Sequence, residues 1–211
     1  MSTISLCLII KDEEKTLDNF LKKLTHFVDE IIIGIDVTTK DNSEKIAKKY
    51  TNKTFKFKLN NDFSKARNLS IQKATKDWIL WLDPDEKIKV KDLEKLKQLT
   101  NTKEYLGYRF IQESTINNKP YTCGICKLFQ NHKNIEFIYP VHESVLPSIK
   151  QQKGIIGKTG IILKHKSNYN KEKAKFYLKL IEKKEKTYPQ SSANKEKEII
   201  EKIIESFLNQ L

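Results

Sequence analysis

The chain has 211 residues, of which 38% are hydrophobic and 32% are charged, and its formal net charge is +13. With 6 Gly and 5 Pro, the composition predicts one folded soluble domain, or a domain with a short appendage, and excludes collagen-like and low-complexity classes. Apolar runs fall short of the ~18–20 residues that cross a membrane, and the first four residues lack the features of a signal peptide, so a cytoplasmic location is expected.

The first hundred residues alternate strand and helix patterns. Short apolar runs predict strands at residues 4–10, 31–35, 54–57 and 78–82. Apolar residues at helical spacing predict helices at about residues 17–28, 43–50, 64–74 and 90–99. Strands that are separated by helices indicate a mainly parallel sheet with right-handed crossovers.

The pattern changes after residue 104. Strand-like segments at 105–112, 124–130, 135–138 and 160–163, joined by polar turns such as 117–120, predict a more antiparallel half. From Lys171 onward, two amphipathic helices separated by Tyr188 and Pro189 predict a helical appendage that packs on the domain. The fold class expected from these elements is α/β, with a mainly parallel Rossmann-like sheet, an antiparallel half and C-terminal helices.

The positive charge is almost all lysine, since arginine occurs only at positions 67 and 109. Excess lysine favours a polyanionic partner such as nucleic acid, an anionic membrane or a phosphorylated substrate. Arginine is the usual residue for bidentate recognition of phosphate and guanine, and no basic stretch alternates with aromatic residues. No specific nucleic acid is therefore expected, whereas peripheral membrane contact and a merely solvated lysine-rich surface both remain open.

Three cysteines cannot form a closed set of disulfides. Cys123 and Cys126 form a single C-x-x-C without the second pair that a zinc ribbon needs, so this segment is interpreted as strand and turn rather than as a metal site.

Polar residues follow each of the predicted parallel strands. Residues 11–14 follow the first, Asp36 ends the second, Asp62 follows the third, and Asp83 and Asp85 follow the fourth. Ligands bind outside the carboxyl ends of strands in such sheets, and two carboxylates separated by proline suit a divalent cation that bridges a diphosphate. Each acid also has a structural explanation, as a partner of a helix N-terminus or as part of a turn.

Four blocks follow one another along the chain: K-D-E-E at 11–14 after an apolar strand, V-D-E-I-I-I-G-I-D at 28–36 followed by T-K-D-N-S at 39–43, D-F-S-K-A-R-N at 62–68, and D-W-I-L-W-L-D-P-D-E at 77–86. In their order and spacing these blocks resemble glycosyltransferase family 2. K-L-F-Q-N at 127–131, V-H-E at 141–143 and L-K-H at 163–165 resemble its later segments. The resemblance covers roughly residues 3–170.

The resemblance implies a glycosyltransferase A-type fold and a nucleotide-sugar donor, a UDP-sugar above all. It divides the chain into a glycosyltransferase domain at 1–170, with a nucleotide-sugar half at 1–100 and an acceptor half at 101–170, and a helical appendage at 171–211. The acceptor is expected to be a glycan, a lipid-linked molecule or a protein.

The resemblance also implies Mn²⁺ or Mg²⁺ as cofactor. A cation on the departing diphosphate stabilises the transition state more than the ground state. Asp85 is expected to contact this cation directly and Asp83 to contact the ribose or the metal. Of the two histidines that could complete the shell, His165 is favoured over His142.

The resemblance further implies the donor-binding residues, which are Lys11, Glu13, Asp36, Asp62, Arg67 and Asp83. Asp36 is expected to meet the base or ribose, and Arg67 to offer a planar donor fork near the diphosphate. The alternative for Arg67 is an ion pair with Asp62 at the start of the helix.

Inverting transfer needs a general base that deprotonates the acceptor hydroxyl, and Glu143 is the catalytic candidate. The alternative for Glu143 is an ion pair with a lysine. Three departures from the family pattern leave the sugar and the nucleotide open: Pro84 replaces alanine, Lys127 replaces arginine, and residues 37–40 replace T-G-S-T.

The sequence thus favours a metal-dependent inverting glycosyltransferase. The alternatives are a non-catalytic nucleotide-sugar or glycan binding module of the same fold, a nucleic-acid binder that would rest on charge alone, and a nucleotidyltransferase.

Overall fold

The computed structural model describes residues 2–116, 119–166 and 170–208. These residues form a mixed α/β fold built on an eight-stranded sheet. The strands are β1 (Ile4–Ile10), β2 (Glu30–Asp36), β3 (Thr54–Phe57), β4 (Trp78–Trp81), β5 (Glu86–Ile88), β6 (Tyr105–Ile116), β7 (Lys119–Gln130) and β8 (Ile155–Lys166). The helices are α1 (Glu14–Leu24), α2 (Ser43–Tyr50), α3 (Phe63–Ile71), α4 (Val90–Leu99), α5 (Leu146–Gln151), α6 (Lys171–Thr187) and α7 (Ala193–Leu208).

The strand order in the sheet is β3-β2-β1-β4-β7-β6-β8-β5. Strands β3, β2, β1 and β4 are mutually parallel, so their carboxyl ends lie at one edge, as predicted. Strand β7 is antiparallel to both β4 and β6, whereas β8 runs parallel to β6 and antiparallel to β5. The predicted α/β class, with a mainly parallel half and a more antiparallel half, is confirmed.

Apolar side chains cover both faces of the sheet. Leu6 and Leu8 of β1 face one core, which helices α1 and α4 cover, while Cys7 faces a second core that contains Ile71 of α3 and Ile149 of α5. Parallel strands that are buried on both faces need unbroken apolar runs, which explains why the sequence pattern located β1, β2 and β4.

The second half differs from the prediction in several elements. Residues 135–138 were expected to form a strand, but they form a loop with a single β-bridge between Ile138 and Ser144. The predicted strand at 124–130 is the C-terminal part of the longer strand β7, and the predicted strand at 160–163 is the middle of the longer strand β8. Strand β5 and helix α5 were not predicted, since both are too short to carry a periodic signal. Asn117 and Asn118 of the predicted turn lie outside the described residues.

The C-X-X-C segment lies within β7, and the three cysteines are free thiols.

The two predicted C-terminal helices are present and pack against each other. Their apolar faces form a third cluster in which Ala174, Ile181 and Ile200 pack with Val141, and Phe63 of α3 packs against this cluster. Among the described residues, no helix has both the length and the apolar character needed to cross a membrane.

Candidate active site

The loops after β1 and β2 are joined by hydrogen bonds. The amide of Lys40 donates to Asp12 Oδ1 at 2.8 Å, and the amide of Glu13 donates to the Ser43 hydroxyl at 2.7 Å. Asp12 has a positive φ of 53°, which Asp tolerates better than most residues. The two loops therefore form one continuous wall at the carboxyl edge of the sheet.

Asp36 lies in this wall at the end of β2 and is buried. Its Oδ1 accepts hydrogen bonds from the amide of Thr38 at 2.8 Å and from the Thr38 hydroxyl. Burial opposes ionisation, but these hydrogen bonds and the charge of Lys11 outweigh it and lower the pKa of Asp36. The structure thus brings together Asp36 and Lys11, as expected for two residues of one pocket.

Asp62 caps helix α3. Its Oδ1 accepts from the amide of Lys65 at 3.2 Å and from the Ser64 hydroxyl at 2.6 Å. Such an N-cap typically stabilises a helix by ~1 kcal/mol. The alternative ion pair between Asp62 and Arg67 is not formed, since Arg67 turns to two other carboxylates.

Arg67 lies at the centre of the site. Its Nη2 donates to both carboxylate oxygens of Asp83 at 3.0 Å, and its Nε donates to Glu143. The guanidinium is buried and lies 4.3 Å from the ring centroid of Trp81 and 5.9 Å from that of Phe137. Burial opposes its charge, but the two carboxylates outweigh this effect and raise the pKa of Arg67. One planar guanidinium thus joins Asp83, which follows β4, to Glu143, which lies 76 residues further along the chain than Arg67.

A buried ion pair supports the acidic turn (residues 83–86). Glu86 accepts at Oε2 from the amide of Asp83 at 3.0 Å, and Lys127 Nζ lies 2.8 Å from Glu86 Oε1. The same ammonium lies 3.4 Å from the ring centroid of Trp81. Burial raises the pKa of Glu86 although Lys127 pulls it down. Glu86 was missed as a site residue, and Lys127 was noticed only as a departure from arginine.

The neighbours of Asp83 favour the charged form of its carboxyl group. Burial opposes its charge, yet Arg67 foremost, then Lys127 and His165, lower the pKa of Asp83. Both of its oxygens are occupied by Arg67 in this structure. Its predicted contact with the ribose or metal remains a prediction.

Asp85 and His165 come together at the open side of the acidic turn. His165 Nε2 lies 3.2 Å from Asp85 Oδ2, because β5 pairs with β8 and places Glu86 opposite His165. The Asp85 side chain is 46% exposed and that of His165 is 24% exposed. The hydrogen bond with Asp85 is the main cause that raises the pKa of His165.

Asp85 and His165 are suited to form part of the coordination shell of a divalent cation. A carboxylate oxygen and an imidazole nitrogen are adjacent, which is a donor set that Mn²⁺ accepts, and Mg²⁺ often binds through one or two carboxylates with phosphates and water. Within the described ranges, no group of three or more His, Cys, Asp or Glu side chains is arranged to hold a metal. Asp85 and His165 would offer two adjacent ligands to such a cation.

The pKa of Glu13 reflects the negative charge at the carboxyl edge of the sheet. Burial raises the pKa of Glu13, the nearby carboxylates of Asp85, Asp83 and Asp41 raise it further, and the hydrogen bond from the Thr16 hydroxyl opposes them. Several carboxylates are thus close enough to repel one another, a field that favours a bound cation.

Glu143 lies in a loop at residues 138–144, which is named the acceptor-side loop because the sequence predicts an acceptor half at 101–170. Its side chain is 10% exposed, and it forms an ion pair with Arg67 rather than with the lysine considered as an alternative. Phe137, the residue before this loop, is held to α3 by Asn68, whose side chain accepts from the amide of Phe137 at 2.8 Å and donates to its carbonyl at 3.0 Å. Asn68 belongs to the D-F-S-K-A-R-N block, but the sequence predicts no role for it. His142, the other predicted histidine, contacts helix α7 instead of the acidic turn.

The fold matches solved glycosyltransferases. The crystal structure of S. aureus TarS in complex with UDP-GlcNAc superposes with a TM-score of 0.60 at 14% identity, over 98% of this chain and 72% of that one. Glucosyl-3-phosphoglycerate synthase from Mycobacterium tuberculosis, in complex with Mn²⁺, UDP and glucosyl-3-phosphoglycerate, superposes with a TM-score of 0.58 at 12% identity, over 80% of this chain and 72% of that one. The predicted glycosyltransferase A-type fold is confirmed.

Sequence comparison gives the family. The model of glycosyl transferase family 2 matches residues 5–146, and the chain belongs to this family. A TPR repeat-containing protein of Synechococcus elongatus is 35% identical over 150 residues, which are 71% of this chain and 37% of that protein. The SPbeta prophage-derived glycosyltransferase SunS of Bacillus subtilis is 26% identical over 146 residues, 67% of this chain and 34% of SunS. The chain spans about a third of the length of these curated relatives.

Proposed function

We propose that this chain transfers a sugar from a nucleotide-sugar donor to an acceptor hydroxyl, with inversion at the anomeric carbon. The family match and the glycosyltransferase A-type fold support the class of reaction. UDP is the expected nucleotide, since the neighbours TarS and glucosyl-3-phosphoglycerate synthase were crystallised with UDP-GlcNAc and with UDP. The acceptor class, a glycan, a lipid-linked molecule or a protein, and the cytoplasmic location stay predictions.

One observation carries the proposal more than any other. The buried Arg67 joins Asp83, which follows the donor-half strand β4, to Glu143 of the acceptor-side loop. In the proposed reaction a donor phosphate and an acceptor hydroxyl meet between the two predicted halves, and the ion pairs of Arg67 keep one carboxylate from each half close together. Such preorganisation reduces the reorganisation that a charged transition state requires.

The residues of the wall provide the donor pocket. Asp36 and Lys11 offer a carboxylate and an ammonium for the ribose or base, and Glu13 lines the same edge. Arg67 places a delocalised positive charge beside the position expected for the diphosphate. A divalent cation held by Asp85 and His165, with Asp83 nearby, would supply the charge that stabilises the departing diphosphate.

Glu143 is the proposed general base. Arg67 Nε orients one of its oxygens, and the part of the chain that the structure describes offers no hydrogen-bond partner to the other, Oε2. That oxygen is the one proposed to accept the proton of the acceptor hydroxyl as the hydroxyl attacks the anomeric carbon.

The first test measures donor binding. Thermal unfolding is followed with a panel of nucleotides and nucleotide sugars, with and without Mn²⁺, since a ligand at 100-fold its Kd adds about 2.7 kcal/mol to the free energy of unfolding. We expect the largest stabilisation with a UDP-sugar and Mn²⁺ together. Equal shifts with a generic DNA duplex that vanish with salt would instead favour the nucleic-acid binder.

The second test measures turnover. Asp85→Asn keeps the shape of the side chain and removes its charge, so we expect near-complete loss of sugar transfer or donor hydrolysis with the fold retained. The matched control is Asp18→Asn on α1, whose side chain is 47% exposed, and this variant should behave like the parent. Parent activity that survives EDTA would exclude the cation, and donor binding without turnover of any donor would identify the non-catalytic module.

A further inference from the structure

The acceptor-side loop adopts an unfavourable backbone at two positions. Tyr139 has a φ of 76° and His142 has a φ of 48°, and neither residue is glycine. Side chains disfavour this left-handed region, and such residues persist where surrounding contacts over-determine them. The loop's own pairing consists of the two hydrogen bonds between Ile138 and Ser144, at 2.9 and 3.0 Å.

The C-terminal helices contact both left-handed residues. Tyr139 packs edge-on against Tyr188, with ring centroids 5.1 Å apart, and Lys184 Nζ of α6 lies 4.6 Å from the Tyr139 centroid. His142 Nδ1 lies 3.0 Å from Glu196 Oε2 of α7. The helical pair thus contacts the loop at both of its left-handed positions.

A buried ion pair fixes these contacts. Lys184 is 1% exposed, and its ammonium lies 2.7 and 2.8 Å from the two oxygens of Glu196. The Ser192 hydroxyl donates to the same carboxylate. Burial opposes the charge of Glu196, but His142, Lys184 and Ser192 outweigh it and lower its pKa to about 2, so the carboxylate is charged.

We propose that Glu196 and Lys184 are positioning residues, which hold the acceptor-side loop in the conformation that presents Glu143 to the site. Glu143 follows His142 directly in the chain, so a change in the His142 backbone moves the Glu143 carboxylate. The helical pair is then a working part of the site and more than a cover over apolar surface. This inference rests on the proposed function, because it assigns the helices an effect on the base of that reaction.

The kinetic test uses Glu196→Gln and, as matched control, Glu198→Gln, which removes the same charge from an exposed position of the same helix. We expect kcat to fall at least 10-fold in Glu196→Gln with the donor KM within 2-fold of the parent, and Glu198→Gln to match the parent. A merely structural contact would lower the amount of folded enzyme without changing kcat per folded molecule.

A double-mutant cycle shows whether the effect passes through Glu143. In a Glu143→Gln background, Glu196→Gln should change kcat less than 2-fold, since the group that it positions is already gone. Equal fold-losses in both backgrounds would overturn the proposal.

A test without turnover separates this inference from the proposed function. Hydrogen exchange at the Ile138 and Ser144 amides should accelerate at least 10-fold in Glu196→Gln and stay at the parent's rate in Glu198→Gln. Should Glu196→Gln not fold, His142→Asn removes the same contact from a side chain that is 41% exposed, and Asn tolerates positive φ. Unchanged exchange in the folded variant overturns the positioning role even if the parent transfers no sugar, whereas faster exchange with an inactive parent supports the role and rejects the proposed function.

Discussion

Replacing Arg67 by methionine tests the central ion-pair network. The variant keeps an unbranched apolar stem against Trp81 but leaves Asp83 and Glu143 without their shared partner. Removing one member of a buried ion pair typically costs 3–5 kcal/mol. Because the Asp83 side chain is 31% exposed and can regain water, we expect a loss near the lower end, about 3 kcal/mol.

Urea unfolding with linear extrapolation measures this loss, and for a chain of this size it corresponds to a fall of ~6–12 °C in Tm. Lys65→Met is the matched control on the same helix, since Lys65 is 79% exposed and lies 3.9 Å from Asp62. We expect a change below ~0.5 kcal/mol there. Arg67→Lys keeps the charge without the fork and should fall between the two. A loss in Arg67→Met no larger than in Lys65→Met would refute the central role of the network.

Three other predictions concern different parts of the molecule. Glu143→Gln should lower kcat by ~10²–10⁴-fold with donor affinity nearly intact, and collapse of donor affinity at unchanged kcat would place Glu143 in the binding shell. Glu30 is buried, and burial opposes its charge, but hydrogen bonds from Lys53, Ser5 and Thr75 lower its pKa to about 2. Its contribution to the free energy of unfolding is therefore present above pH ~4.5 and is lost as the pH falls towards 2. Acid unfolding curves should therefore flatten over that range in Glu30→Gln, and an unchanged curve would contradict the assignment. Deleting residues 194–211 should expose the apolar face of α6 and lower Tm, and an unchanged Tm would show that α7 does not brace the domain.

The parallel half of the fold could be predicted because burial on both faces leaves a strong signal. Strands β1 and β3 were located at their observed bounds, and each end of β2 and β4 was located within one residue. The edge strand β5 could not be predicted, because it has three residues and an exposed lysine lies between its two buried positions. Residues 135–138 misled the prediction because their apolar side chains, including the buried Ile135 and Phe137, fill the second core from a loop.

The acidic edge could be predicted from strand ends, but its pairing could not. Asp83 and Asp85 follow β4 in the sequence, whereas Arg67 and Glu143 are 76 residues apart and meet only through the fold. The alternative partner weighed for Arg67 was close in sequence, and it was wrong because Asp62 turns back to cap its own helix. Local patterns therefore gave the positions of the charged groups, and long-range packing decided which of them pair.

Charge composition explains why these buried ion pairs could not be predicted from the sequence. Basic residues number 40, and nearly all of them look alike in the sequence as lysines of a solvated surface. Within the described residues, the buried basic side chains are Arg67, Lys127 and Lys184, and each pairs with a carboxylate. Arg67 joins the acidic turn to the acceptor-side loop, Lys127 supports the same turn through Glu86, and Lys184 supports the same loop through Glu196. A buried cation is tolerated only where such partners compensate its desolvation, so these three positions connect the sheet edge, the turn and the C-terminal helices around one site.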